Sequence, residues 1–154
     1  MNILVSACLV GINCRYDGKN CLEKQLQKLT DKHTLIPVCP EQLGGLGTPR
    51  NPVELSTYDN KILAKTKDGT DLTSHFTCGA KATLRIAQLN HCKIAILKSK
   101  SPSCGHGEIY SGSFDDTLIK GNGITAQTLI EKGIEIYTEE EIPQMLRMLK
   151  VYNK

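Results

Sequence analysis

The chain has 154 residues, 40% of them hydrophobic and 23% charged, with a formal net charge of +3. That length suits one domain over residues 1–154, and the composition is that of an ordinary globular protein. No stretch approaches the roughly 20 apolar residues of a membrane helix. The scattered Lys and Arg neither demand nor exclude nucleic acid, and with no Trp and two Phe a base-stacking platform is poorly supplied.

The opening MNILVSACLV lacks a basic n-region, so residues 2–7 read as a first apolar strand and the default location is cytoplasmic. A loop rich in Gly, Asn and Asp follows, and residues 22–29, LEKQLQKL, have helical spacing. TLIPV, 34–38, is a second buried strand that runs directly into Cys39-Pro40-Glu41. The segment 42–55 carries glycines and prolines that argue against regular structure, and KILAKTKDGTDL, 61–72, reads as a small hairpin with an Asp-Gly turn. Residues 73–90 form the strongest predicted helix, with Phe76, Ala80, Leu84 and Ala87 at three- and four-residue steps. KIAIL, 93–97, is the third strand, and GITAQTLIEKG, IEIYT and EEEIPQMLRMLK read as helix, strand and helix, the last capped by Thr138. Short apolar strands alternating with helices predict an α/β fold. Its mostly parallel sheet of about four core strands is covered on both faces, with an irregular hairpin insertion between strands two and three.

Seven cysteines, an odd number and no C-x-x-C pair among them, do not form a disulfide or zinc-ribbon framework. Ligands of an open parallel sheet bind beyond the carboxyl ends of its strands. Cys8 follows strand one, Cys39 follows strand two, and Cys104 lies a few residues after strand three, so three distant thiols converge on one edge. Cys92 precedes strand three and belongs at the other edge, Cys78 lies within a helix, and Cys14 in the first loop is within reach of the site. Three readings stay open on the residues alone. They are a metal or iron–sulfur centre with one position left free, packing of small hydrophobes, and a cysteine nucleophile.

Three motifs narrow them. SACLVGINCRYDG (6–18), PVCPEQLGGLGTPRNPVE (37–54) and LKSKSPSCGHG (97–107) closely resemble the thiouracil desulfidase family of small iron–sulfur desulfidases. The resemblance implies a Rossmann-like three-layer α/β domain with a [4Fe–4S] cluster on Cys8, Cys39 and Cys104. It also implies a small thiolated pyrimidine substrate whose sulfur binds the open iron. Water would add to the ring carbon in a hydrolytic, non-redox cleavage of the C–S bond that releases sulfide. Glu41 then becomes the general base and Ser101 an orienting or proton-transferring hydroxyl, beside the plainer readings of a loop charge and a turn-forming serine.

Arg15, Asp17 and Arg50 are expected near the same edge, most simply as an Arg–Asp pair that ties loops together. His106 is either a donor to a cluster sulfur or an exposed loop residue. Two further functions stand against the desulfidase: a non-catalytic metal-binding or sulfide-trafficking module, and a desulfidase acting on thiolated nucleosides in RNA. The modest charge gives the RNA reading little support. Oligomeric state is open.

Overall fold

The computed structural model describes residues 1–152. Its elements run β1 (Asn2–Ser6), β2 (Thr34–Val38), α1 (Pro40–Leu43), β3 (Val53–Tyr58), β4 (Lys61–Thr66), α2 (Thr73–Leu89), β5 (Ile94–Leu97), β6 (Glu108–Tyr110), β7 (Leu118–Lys120), α3 (Ile124–Ile130), β8 (Glu135–Thr138) and α4 (Ile142–Tyr152). The core sheet is parallel throughout in the order β2-β1-β5-β8. Pro37 has no N–H to give a ladder, which suits its place on the edge strand β2.

Period-two alternation sends the strand side chains to two apolar layers. Ile3, Val5, Ile94 and Ile96 pack with Leu26, Leu29 and, from α4, Ile142, Met145 and Leu149. Leu4, Ala95 and Leu97 pack on the other face with Ala87 of α2 and Ala126 and Leu129 of α3. The result is the expected three-layer sandwich with four core strands. A third cluster joins Val53, Leu55 and Ala64 of the β3–β4 hairpin to Phe76 of α2 and Ile109 of β6.

The differences from the sequence reading are local. Lys24–Leu29 is a 3-10 helix, not an α-helix, and its two buried residues, Leu26 and Leu29, are three apart, the repeat of that tighter helix. The hairpin pairs β3 with β4 around Asp59-Asn60, so Val53–Tyr58 is regular strand although it begins in the Gly/Pro-rich segment. Asp68-Gly69 makes the next turn, after β4. The short α1 starts before the Gly/Pro-rich segment and ends just inside it, at Leu43. The small β6–β7 hairpin carries too few residues for a periodic signal. Thr138 does precede the last helical segment, where Glu141 reaches back to accept from the Thr138 N–H at 2.8 Å. Among the described residues no helix is long and apolar enough to cross a membrane.

Candidate active site

The carboxyl ends of β1, β2 and β5 open into one cavity of about 450 Å³, which Cys8, Cys14, Cys39 and Cys104 all line. Each thiol arrives by a different local device. Cys8 sits in a 3-10 turn, Ala7–Val10, that leaves β1 directly and ends on Gly11 at φ 92°, where glycine avoids the left-handed penalty. Cys39 is the N-cap of α1, with Pro40 in the first turn. Close backbone packing fixes the position of α1. A Cβ on Gly79 of α2 would stand 1.9 Å from the Pro40 carbonyl oxygen, and one on Gly44 would stand 2.0 Å from that of His75.

Cys104 sits in a loop held by the start of α3. The N–H groups of Ile124 and Thr125 donate to the carbonyls of Pro102 and Ser103, each at 2.9 Å, so the loop takes up donors that a helix start leaves free. Gly123 is the close-approach residue there, since a Cβ would meet the Ser103 carbonyl carbon at 2.4 Å.

Glu41 lies in the first turn of α1 and faces the cavity. Arg50 Nε is 3.2 Å from Glu41 Oε1, and Ser103 Oγ donates to Glu41 Oε2 at 2.9 Å. Ser101 Oγ is 3.1 Å from Ser103 Oγ and accepts the N–H of Cys104 at 3.1 Å. Arg50 further donates to the Cys14 carbonyl at 2.9 Å, which ties the first loop to the α1 region.

Burial pushes the Cys104 thiol up to about 12, against hydrogen bonds from Ser6 and Ser103 that act the other way. A hydrogen bond with Cys14, then burial, raises Cys39 far above an ordinary thiol. Cys14 itself is raised, because its hydrogen bond to Cys8 and its burial outweigh the lowering from Cys39. Arg50 pulls Cys14 and Cys39 in the opposite direction, toward the thiolate.

The structure therefore gathers all five predicted site residues, Cys8, Cys39, Cys104, Glu41 and Ser101, in one cavity. It adds Cys14, 2% exposed, whose backbone carbonyl accepts from Cys39 Sγ at 3.7 Å. Cys92 is buried in the layer with Leu4 and Ala95, and Cys78 is exposed on α2. Arg15 pairs with Asp17 at 3.5 Å as the plain reading expects, while Arg50 turns to Glu41. His106 lines a second cavity of about 180 Å³ with Glu140 and Glu141, which no cysteine lines.

Among the described residues no three His, Cys, Asp or Glu side chains close on a single ion. Thiolates are the ligands of iron–sulfur clusters, and soft sulfur donors suit iron and zinc alike. Thiols from three strand ends around a cavity this size are a donor set of that kind.

A family model for 2-thiouracil desulfurase matches residues 3–141. The chain belongs to that family. An uncharacterized protein of Bacillus subtilis (strain 168), YbbK, is 39% identical over 150 residues, covering 94% of this chain and 99% of its own. The solved structure of TudS, a [4Fe–4S]-dependent thiouracil desulfidase, superposes with a TM-score of 0.87 at 36% identity, covering 97% of this chain and 98% of that one.

Proposed function

We propose that this protein removes sulfur from a thiolated pyrimidine such as thiouracil. The supporting observation is the convergence of three strand-end thiols with the Glu41–Ser103–Ser101 hydrogen-bonded chain in a single cavity, in a member of the desulfurase family. Cys8, Cys39 and Cys104 would hold a [4Fe–4S] cluster, which would supply Lewis-acid polarisation of the thiocarbonyl.

The protein does the rest. Glu41, oriented by Arg50 and Ser103, receives the proton of the water that adds to the ring carbon. Ser101, fixed by its hydrogen bonds to Ser103 and Cys104, orients the reacting groups. Tyr110 and Phe114 supply an aromatic wall, as a planar ring requires. The reaction balances without an external reductant: the carbonyl oxygen comes from water, both its hydrogens leave with sulfur, and no net electron transfer occurs.

Anaerobic reconstitution with iron and sulfide, followed by turnover of 2-thiouracil in oxygen-18 water, tests the reading. About four irons per chain, sulfide release and labelled uracil are expected, with Cys104→Ser lacking all three. A fully loaded protein that releases no sulfide from 2-thiouracil or 4-thiouracil defeats the proposed substrate class, and unlabelled uracil defeats the hydrolytic step.

A further inference from the structure

Among the described residues three carboxylates line the cavity, those of Glu41, Glu54 and Asp116, and the first two are already engaged. Glu41 holds Arg50 on one oxygen and the Ser103 hydroxyl on the other. Glu54 Oε1 accepts the N–H groups of Gly112 and Phe114. Asp116 has no hydrogen bond or ion pair with any described residue, so its acceptor sites are open to whatever enters.

An exposed aspartate on a loop needs no function, and the backbone is what sets this one apart. Phe114 stands at φ 55° and Asp116 at φ 63°. Aspartate enters the left-handed region at small cost, but for a bulky residue such as Phe it is a genuine outlier that the surroundings must enforce. Here they do. The Ser111 N–H donates to the Thr117 carbonyl at 2.9 Å and closes the loop, while Asp115 Oδ1 accepts the Thr117 N–H at 3.1 Å. A Cβ on Gly112 would stand 2.6 Å from the Leu55 carbonyl oxygen, so the loop lies close on β3. The two left-handed residues of this loop that are not glycine both line the cavity, and they bring it an aromatic ring and a free carboxylate.

We propose that Asp116 selects the base, its carboxylate accepting the ring N–H that lies between the thiocarbonyl and the neighbouring carbonyl. The inference rests on the thiolated-pyrimidine reading and deepens it. That N–H flanks the reacting carbon in 2-thiouracil and 4-thiouracil alike. Inside the cavity it needs an acceptor, and a carboxylate, which only accepts, is its strongest partner. The same carboxylate disfavours a cytosine-type ring, which presents a bare lone pair at that nitrogen. Exchange of sulfur for oxygen leaves the N–H in place. The contact therefore holds substrate and product alike and acts on binding, not on the chemical step.

The test measures binding of uracil and 3-methyluracil by calorimetry, and turnover of 2-thiouracil, on anaerobically reconstituted wild type and Asp116→Gly. Glycine takes the left-handed backbone without strain, so the variant removes the carboxylate and keeps the loop. Wild type should bind uracil roughly 10- to 100-fold more tightly than 3-methyluracil. Asp116→Gly should lose that factor on uracil and nothing on 3-methyluracil, with KM for 2-thiouracil raised and kcat and iron content unchanged. Asp116→Asn, whose amide carbonyl still accepts, should fall between the two. Equal losses on both ligands would place the effect on the loop and overturn the assignment. So would an unchanged preference for uracil in Asp116→Gly, and sulfide release by wild type would then leave the desulfurase reading standing. Conversely, an Asp116-dependent preference for uracil in a protein that releases no sulfide would uphold the contact and defeat that reading. Wild type that neither binds uracil nor releases sulfide overturns both.

Discussion

At the scale of single residues, the site depends on two glycines that carry no functional group. Gly79 has no left-handed backbone to explain it, and it lies in the middle of α2, where glycine is about 1 kcal/mol worse than alanine. Helix propensity alone would make Gly79→Ala stabilising. The structure reverses the sign, because the added Cβ would fall 1.9 Å from the Pro40 carbonyl oxygen and 3.3 Å from the Gly44 nitrogen, both backbone atoms that cannot rotate aside. Overpacking against backbone costs about 3 kcal/mol or more here. What must shift is the helix start that carries Cys39 and Glu41. Gly79→Ala should therefore lower the urea midpoint and also the iron bound on reconstitution. Ala82→Gly, also on α2, serves as the control for propensity alone and should lose about 1 kcal/mol with iron uptake unchanged. A Gly79→Ala protein as stable as wild type would refute the close-approach argument.

At the scale of elements, two carboxylates fasten loops around the cavity. Glu54 on β3 accepts the N–H of Gly112 at 3.0 Å and of Phe114 at 3.1 Å, holding the 111–117 loop so that Phe114 and Asp116 line the site. Glu54→Ala should raise KM for the thiolated base severalfold with iron content intact, since it frees a wall and not a cluster ligand. An unchanged KM would show that this loop does not form the substrate wall. Glu139 fastens the exit of β5 to that of β8, accepting from the Ser99 N–H at 2.8 Å and pairing with Lys98. Its burial favours the neutral form, but Lys98 and Ser99 outweigh it and hold the carboxyl below its ordinary 4.5. A lowered folded-state pKa stabilises above about pH 4.5, and the gain is lost as pH falls through the folded value. Glu139→Gln should thus cost about 1–3 kcal/mol at pH 7, and the deficit measured by urea unfolding should shrink toward pH 3.

The strands that set up these loops were readable because apolar runs ending on Cys39 or Lys98 have no other use for their length. The segment at 24–29 was legible as helical though not as 3-10, and β6 and β7 were not legible, since three residues give too little periodicity to separate one state from another. Ser101 was singled out through the family resemblance of its motif, while Ser103 was not, because its hydrogen-bond partner Glu41 lies 62 residues away. The pairing of Arg50 with Glu41, nine residues away, was masked by the expected Arg–Asp pair, which in the structure belongs to Arg15 and Asp17.

At the scale of the whole molecule, three layers converge to bury thiols that must become thiolates to hold a metal. The metal-free protein therefore carries a stability cost that appears only at high pH. Burial raises Cys104 from an ordinary 9.0 to about 12. A raised folded-state pKa stabilises the fold below the unfolded value, and that contribution is lost as pH climbs from about 9 toward 12, where the unfolded chain ionises first. Three pH units of difference correspond to an effect on the order of 4 kcal/mol, and Cys39, raised by its hydrogen bond with Cys14 and by burial, acts in the same direction. Cluster binding reverses the sign. Ligation requires the thiolates and releases their protons, so the folded state with its cluster gains as pH rises. Unfolding should be followed by urea from pH 7 to 10 on metal-free wild type, on metal-free Cys104→Ala and on protein reconstituted without oxygen. Metal-free wild type should fall away from Cys104→Ala as pH passes 9, while the reconstituted protein keeps its stability over the same range until a chelator strips the iron. Parallel curves for metal-free wild type and Cys104→Ala would mean that Cys104 is solvated before the cluster arrives, and that the cavity opens to water more readily than its packing implies.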